Sequence, residues 1–282
     1  MTKPVTPSEK ISPTAYATSY FWVRQGLSHP ALATAQGKRL DRAFGLLTRT
    51  LSRFGAPSFD ALMLARHRGI DARLTKAIDA GQVSQVIEIA AGLSGRGLRM
   101  MQRYGDRLTY IETDLPAMVA TKRRLLEDAG LLADGHRVVV LDALASSGAK
   151  SLAGIAKTLD PKRGTAIITE GLMNYLDPAA AHGVWRRIAK TLSRFPQGLY
   201  LADAYLQSDQ RGASSRLFGK VIGSFVKGRL HVHFETREQG LKLLRGFGFK
   251  SAVLHKTRDL PETRELARTP GAERVHVLEA WT

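Results

Sequence analysis

From Val83 onward the sequence repeats one pattern, and that pattern limits the fold more than any other feature. A short apolar run, rich in β-branched residues, ends in an acid, and a segment of helical spacing follows. The runs are VSQVIEIA, RLTYIETDL, HRVVVLDA, GTAIITEGL and QGLYLADAY. Strands that are apolar at nearly every position are buried on both faces, as in parallel sheets covered by helices. The intervening segments carry helix signals. PAMVATKRRLLEDAG opens with Pro and closes with Gly, each at the end of a helix it favours. Further helices are expected near 150–159 and over DPAAAHGVWRRIAKTLSRF. This alternation predicts an α/β fold with a doubly wound, mainly parallel sheet. Residues 211–246 read as helices, and FKSAVLHK and RVHVLEAW as two last strands. These are expected to be antiparallel neighbours across a short loop.

Upstream of Val83 the texture is helical. AYATSYFWVRQGL gathers Tyr16, Tyr20, Phe21 and Trp22, and SFDALMLARHRGIDARLTKAIDA is apolar at helical spacing before Gly81. The expected division is a helical extension over 1–80, packed on a core domain over 81–282 that carries a helical insertion near 206–246 on the substrate side. With 282 residues and 44% hydrophobic content, the chain can bury a substantial core. It has no cysteine, which excludes disulfides, thiolate catalysis and Cys-ligated metals. The first residues lack a signal-peptide core, and no apolar run approaches the roughly 20 residues that span a bilayer. A soluble, cytoplasmic protein is the expectation. The formal charge of +17 is spread along the chain. It reads as a solvated basic surface, or as attraction to an anionic substrate, nucleic acid or lipid.

The stretch VIEIAAGLSGRG (Val86 to Gly97) runs from a strand into a turn of small residues. Its spacing fits neither the G-x-G-x-x-G dinucleotide fingerprint nor the triphosphate loop. A ligand can approach this backbone, but phosphate is not favoured. The strand ends sharpen the reading. Asp114 closes the second strand, Asp142 the third, Glu170 the fourth and Asp203 the fifth. Each acid falls at the carboxyl edge, where α/β sheets bind ligands, and an acid at the position of Asp114 can accept both hydroxyls of a ribose. A single acid there is often a helix cap. Four in a strongly basic protein suggest a pocket of negative potential, suited to a ligand with ribose hydroxyls, amines and positive charge but no phosphate. S-adenosyl-L-methionine has all of these.

ARHRGID, VIEIAAGLSGRG, YIETDLPAMVATKRRLL and ITEGLMNYL resemble the leucine carboxyl methyltransferase family, which includes polyketide-type O-methyltransferases. The resemblance runs from about Ala15 to Tyr205 and implies a class I methyltransferase fold, strand order 3-2-1-4-5-7-6, with the last strand antiparallel. One departure is Ala90-Ala91-Gly92-Leu93-Ser94-Gly95-Arg96, where the family usually shows G-A-G-x-D-T-R. The resemblance implies that Arg66 grips the cofactor carboxylate, as a bidentate guanidinium can. Ala90 and Gly92 would border the methionine part, Asp114 the ribose, Asp142 and the Ala143 N–H the adenine, and Glu170 the ammonium. Glu88 either touches the ligand or braces the turn. Tyr20, Tyr175 and Tyr205 are candidates for lining the acceptor cavity.

The activity implied is transfer of a methyl group to a carboxylate or hydroxyl of a small molecule. A carboxylate needs no general base and a hydroxyl does. His29, His182, His231 and His233 qualify only by residue type, and HVHF reads as packing rather than a metal pair, so no catalytic residue and no metal ligand is assigned. RGASSRLFGKVIGSFVKGRL, with Arg216 and Lys220, reads as a basic amphipathic helix. It is either ordinary packing or a lid for an anionic or lipophilic acceptor. The competing readings are a methyltransferase acting on a protein carboxylate or RNA, and a non-catalytic nucleic-acid or membrane-binding module.

Overall fold

The computed structural model describes residues 13–53, 57–210 and 230–282. The five acid-tipped runs form β1 (Gln85–Ile89), β2 (Thr109–Asp114), β3 (His136–Val140), β4 (Thr165–Thr169) and β5 (Gly198–Ala204). Together with β6 (Ser251–Lys256) and β7 (His276–Trp281) they make one seven-stranded sheet, ordered β3-β2-β1-β4-β5-β7-β6. The first five pair in parallel, and β7 runs antiparallel between β5 and β6.

Side-chain alternation sorts the core into two layers. On one face Val86, Tyr110, Ala166, Ile168, Leu199, Leu201 and Val277 meet Ile70, Leu74 and Ala77 of α3 (Phe59–Asp79), and Met100, Met101 and Tyr104 of α4 (Arg96–Tyr104). On the other, Ile87, Ile89, Ile111, Ile167, Tyr200 and Leu278 meet α6 (Leu152–Ala156) and α7 (Pro178–Leu192). Trp185 of α7 stacks on Phe234 and Phe247 at 5.4 and 5.8 Å. α5 (Pro116–Asp128) packs Val119 and Leu126 on Val138. The helices after β1 and β4 therefore leave toward opposite faces, which opens a crevice at the carboxyl ends of these neighbouring strands. The N-terminal helices α1 (Pro13–Arg24) and α2 (Ala35–Arg53) pack together, and α1 sets Phe21 and Trp22 against Met63 and Leu64 of α3.

Two expectations differ from the structure. The link between β6 and β7 is no short loop. It contains the 3-10 segments Thr257–Asp259, Pro261–Arg268 and Ala272–Arg274. Buried hydroxyls satisfy its backbone, with Thr257 Oγ1 donating to the Ala272 carbonyl and Thr263 Oγ1 to the Thr257 carbonyl, both at 2.6 Å. Of the range 211–246 the structure describes 230–246, where helix is found in α8 (Arg237–Gly246). The stretch 230–234 is irregular, with one isolated bridge from Phe234 to Leu206, and its backbone is held by distant partners. His231 N–H donates to the Asn174 carbonyl at 2.8 Å, Asn174 Nδ2 donates to the His231 carbonyl at 2.7 Å, and Gln207 N–H donates to the Phe234 carbonyl at 2.9 Å. The basic helix expected around Arg216 and Lys220 lies outside the described residues.

Candidate active site

The turn after β1 is shaped by its backbone. Ala90 adopts φ 56°, the single positive φ of a non-glycine residue among those described, and Gly92 follows at φ 52°. A left-handed conformation costs an alanine roughly 1–2 kcal/mol, and such strain persists only where the surroundings enforce it. They do so from two sides. Asp114 Oδ2 accepts the Gly92 N–H at 2.8 Å, while its Oδ1 accepts Leu115 N–H at 2.7 Å. From α5, buried Lys122 donates to the Ser94 carbonyl at 2.7 Å and pairs with Glu112 Oε1 at 2.8 Å. Glu112 Oε2 also takes His136 Nε2 at 3.1 Å. Gly97 lets α4 close on this cluster, since a Cβ there would lie 2.8 Å from Glu112 and His136. Burial raises the pKa of Asp114, and the two backbone N–H donors offset only part of that.

Across the turn lies a larger charged network. Arg96, in the first turn of α4, is fully buried. It pairs with Asp71 at 2.5 Å and also with Glu88 and Glu170. Glu88 accepts the Tyr110 hydroxyl at 2.6 Å with its second oxygen, so it is tied beneath the turn. Glu170 meets Arg66 Nε at 3.0 Å and His67 Nδ1 at 2.9 Å. Arg66 continues to Asp203 Oδ2 at 3.6 Å and bonds the Tyr205 hydroxyl. Asp203 Oδ1 accepts the Gly171 N–H at 2.8 Å. Arg99 pairs with Asp71 at 2.7 Å. Trp22 stacks on the His67 ring, centroids 4.1 Å apart. Burial opposes the charge on Glu170, but His67, Arg96 and Arg66 hold its pKa well below the usual range. Asp203 behaves oppositely, because burial raises it more than Arg66 and the Gly171 N–H lower it.

With the fold and the geometry of this edge in view, comparison with known proteins places the chain among relatives. The family model "Leucine carboxyl methyltransferase" matches residues 25–189, more than half of the chain. The chain belongs to the leucine carboxyl methyltransferase family. It is 38% identical over 124 residues to a Frankia alni protein provisionally named an S-adenosyl-L-methionine-dependent methyltransferase, covering 44% of this chain and 42% of that one. A Mycolicibacterium gilvum protein with the same provisional name is 31% identical over 178 residues, covering 63% and 55%. The chain thus spans about half the length of these curated relatives. In fold it is similar to a crystal structure from Thermobifida fusca, provisionally described as a methyltransferase, with TM-score 0.60, 15% identity and 98% of each chain covered.

Within this family member, the residues singled out in the sequence fall into distinct groups. Arg66, Glu88, Glu170 and Tyr205 meet in the network, Glu88 through Arg96. Ala90, Gly92 and Asp114 form the turn. Asp142 is exposed at the end of β3, where its Oδ1 accepts Leu144 N–H at 2.8 Å, and the Ala143 carbonyl accepts Arg187 at 2.9 Å. Tyr20 is half-buried on α1 beneath the Lys38 ammonium, and Tyr175 is 43% exposed, so neither enters the network. His233 donates through Nε2 to the Met173 carbonyl at 2.8 Å as part of loop packing, and no group of acids and histidines among the described residues is placed to hold a metal. The sequence reading missed the roles of His67, Asp71, Arg96, Arg99 and Lys122. One available signal was the run ARHRGID with its basic residues at i, i+1 and an acid at i+5, all on a helix expected to be buried.

Proposed function

We propose that this chain is an S-adenosyl-L-methionine-dependent O-methyltransferase acting on a carboxylate or hydroxyl of a small molecule. The observation that carries the reading is the pairing of Asp114 with the Gly92 N–H at the mouth of the crevice, 2.8 Å apart. Each carboxylate oxygen there has one acceptor site taken by backbone, which leaves the others for ribose hydroxyls. The names of the relatives favour the same cofactor. Bound in this crevice, the cofactor supplies an electrophilic methyl group on a sulfonium.

The chain's own residues bind and position. Asp114 orients the ribose while fixing the turn. Arg66, 14% exposed at the sheet edge, turns its guanidinium toward a carboxylate. Arg68, two residues on, pairs outward with exposed Glu265 and is no candidate for that task. Asp142 and Ala143 are the outermost groups on the adenine side. With a good leaving group in place, alignment of the acceptor oxygen can supply most of the barrier reduction, roughly 7–11 kcal/mol in well-oriented systems. Residues 1–80 are proposed to cover this core as a helical extension, and the region 206–246 to lie beside the acceptor.

The test is methyl transfer from radiolabelled cofactor to cell extract split into metabolite, protein and RNA fractions. Label in an ester or ether of the metabolite fraction is expected. Label confined to protein or RNA would overturn the small-molecule assignment, and absence of label in every fraction would overturn the activity.

A further inference from the structure

The loop after β3 is clamped by a cation from a different helix. Arg187, half-buried on α7, donates through Nη2 to the Ala143 carbonyl at 2.9 Å. That carbonyl and the Leu144 N–H are the two ends of one peptide group, and the N–H donates to Asp142 Oδ1 at 2.8 Å. A guanidinium and a carboxylate are thus joined through a single peptide. Hydrogen bonds in such a chain polarise one another, and a cation on the peptide oxygen makes the N–H a better donor to the carboxylate. The rest of the loop closes on itself. Asp142 N–H donates to the Lys150 carbonyl at 2.9 Å, and Ala145 N–H to the Asp142 carbonyl at 3.1 Å. Two groups on adjacent residues are left without a partner among the described residues. They are Asp142 Oδ2, an acceptor, and the Ala143 N–H, a donor.

The helix makes room for this clamp. A Cβ at Gly183, one turn before Arg187 on α7, would lie 3.2 Å from Arg187 Nη1. The bare position lets the guanidinium lie along the helix, although a glycine weakens a helix interior. Burial also opposes the Arg187 charge, and Asp142 is the charge that offsets it. We infer that Arg187 is a positioning residue for base recognition, holding Asp142 and Ala143 so that the carboxylate and the N–H read the amino group and ring nitrogen on one edge of adenine. This rests on the proposed cofactor reading and deepens it, because it assigns the choice of base to a residue whose bond goes to the loop. The edge of adenine offers an amine donor beside a ring-nitrogen acceptor. Hypoxanthine, with an oxo group in place of the amine and a proton on the ring nitrogen, offers the reverse. Its edge would set acceptor against the Asp142 carboxylate and donor against the Ala143 N–H. A site built to pair with one pattern rejects the other because its own polar groups are left unpaired.

The experiment is titration calorimetry with S-adenosylhomocysteine and S-inosylhomocysteine, which differ only at this edge of the base, on the unaltered protein, Arg187→Met and Arg187→Lys. The unaltered protein should favour the adenosyl ligand at least about thirtyfold, the worth of one charge-assisted and one neutral hydrogen bond. Arg187→Met keeps an apolar stem over α7 and removes the clamp. The preference should then fall at least about threefold, roughly the worth of one neutral hydrogen bond, through weaker binding of the adenosyl ligand. Arg187→Lys still gives the Ala143 carbonyl a charged donor and should keep most of the preference. Should Arg187→Met not fold, Arg187→Gln, too short to reach that carbonyl, reads the same ratio. A role in stability alone would weaken both ligands alike. No preference in the unaltered protein, a preference unchanged in Arg187→Met, equal weakening of both ligands, or a loss as full in Arg187→Lys as in Arg187→Met overturns the inference while leaving the cofactor assignment standing. Failure of both ligands to bind the unaltered protein overturns the cofactor assignment and the inference with it.

Discussion

Helix α4 stands between two buried charged clusters that look alike and differ in one respect. On its β2–β3 side, Lys122 and Glu112 balance each other. His136 completes the group, with Nε2 3.1 Å from Glu112 and a buried Nδ1 lacking a hydrogen-bond partner among the described residues. On its α3 side, Arg96 pairs at once with Asp71, Glu88 and Glu170. The Lys122 cluster has no exposed member and meets the turn at the Ser94 carbonyl. The Arg96 network reaches the crevice through Arg66 and Tyr205. Buried charge sealed from solvent is scaffold, and buried charge beside an opening points to a ligand.

That contrast can be broken by mutation, and the largest effect belongs to Arg96. Arg96→Met leaves Glu88 without its cationic partner and takes one partner each from Asp71 and Glu170, and loss of one partner from a buried pair alone costs about 3–5 kcal/mol. Urea unfolding should show a loss at or beyond the upper end of that range, or no folded protein. Lys122→Met strands only Glu112 and should cost about 3 kcal/mol. The double variant Lys122→Met with Glu112→Gln should recover most of it, because both charges are gone. A double variant no better than the single would mean that the cluster is more than a neutralised pair.

A smaller effect separates the clusters by pH. The folded pKa of Glu112 is depressed by Lys122 and His136 against burial. Its stabilisation is therefore present above the unfolded carboxylate range and lost as pH falls through the folded value. The folded pKa of Asp203 is raised by burial. It stabilises nothing by ionising, and the cost of its charge accrues as pH rises from the unfolded carboxylate range to the folded value, remaining in full above it. Relative to the unaltered protein, Asp203→Asn should thus look more favourable at pH 7 than at pH 4, and Glu112→Gln less favourable. Equal pH dependence in the two would remove the distinction. The smallest expected change is at the turn between them. Ala90→Gly relieves a left-handed alanine at the entropic expense of glycine, for a net gain of about 0.5 kcal/mol in unfolding free energy.

Much of this was legible from the chain because parallel strands and their acid tips are local patterns. Asp114, Glu170 and Asp203 each end an apolar run, so their shared edge follows from the alternation alone. The network was not legible, since Arg66, Glu170 and Asp203 meet only after β4 and β5 pair. Arg96 looked like one more basic residue in a strongly basic protein, yet it is fully buried because three acids from α3, β1 and β4 converge on it. Glu88 could have faced ligand or turn, and the Tyr110 hydroxyl and Arg96 draw it beneath the turn.

The central claim is that the crevice over Asp114 and Gly92 holds a nucleoside-bearing methyl donor. Titration calorimetry with S-adenosyl-L-methionine tests it most directly, using the unaltered protein, Asp114→Ala and Arg68→Ala. Charge-assisted hydrogen bonds are worth about 1.5–3 kcal/mol each, so loss of the ribose contacts in Asp114→Ala should weaken binding at least about tenfold. Arg68→Ala, altered only on the outer face of α3, should bind as the unaltered protein does. Binding that is absent from the unaltered protein, or undiminished in Asp114→Ala, would contradict the account.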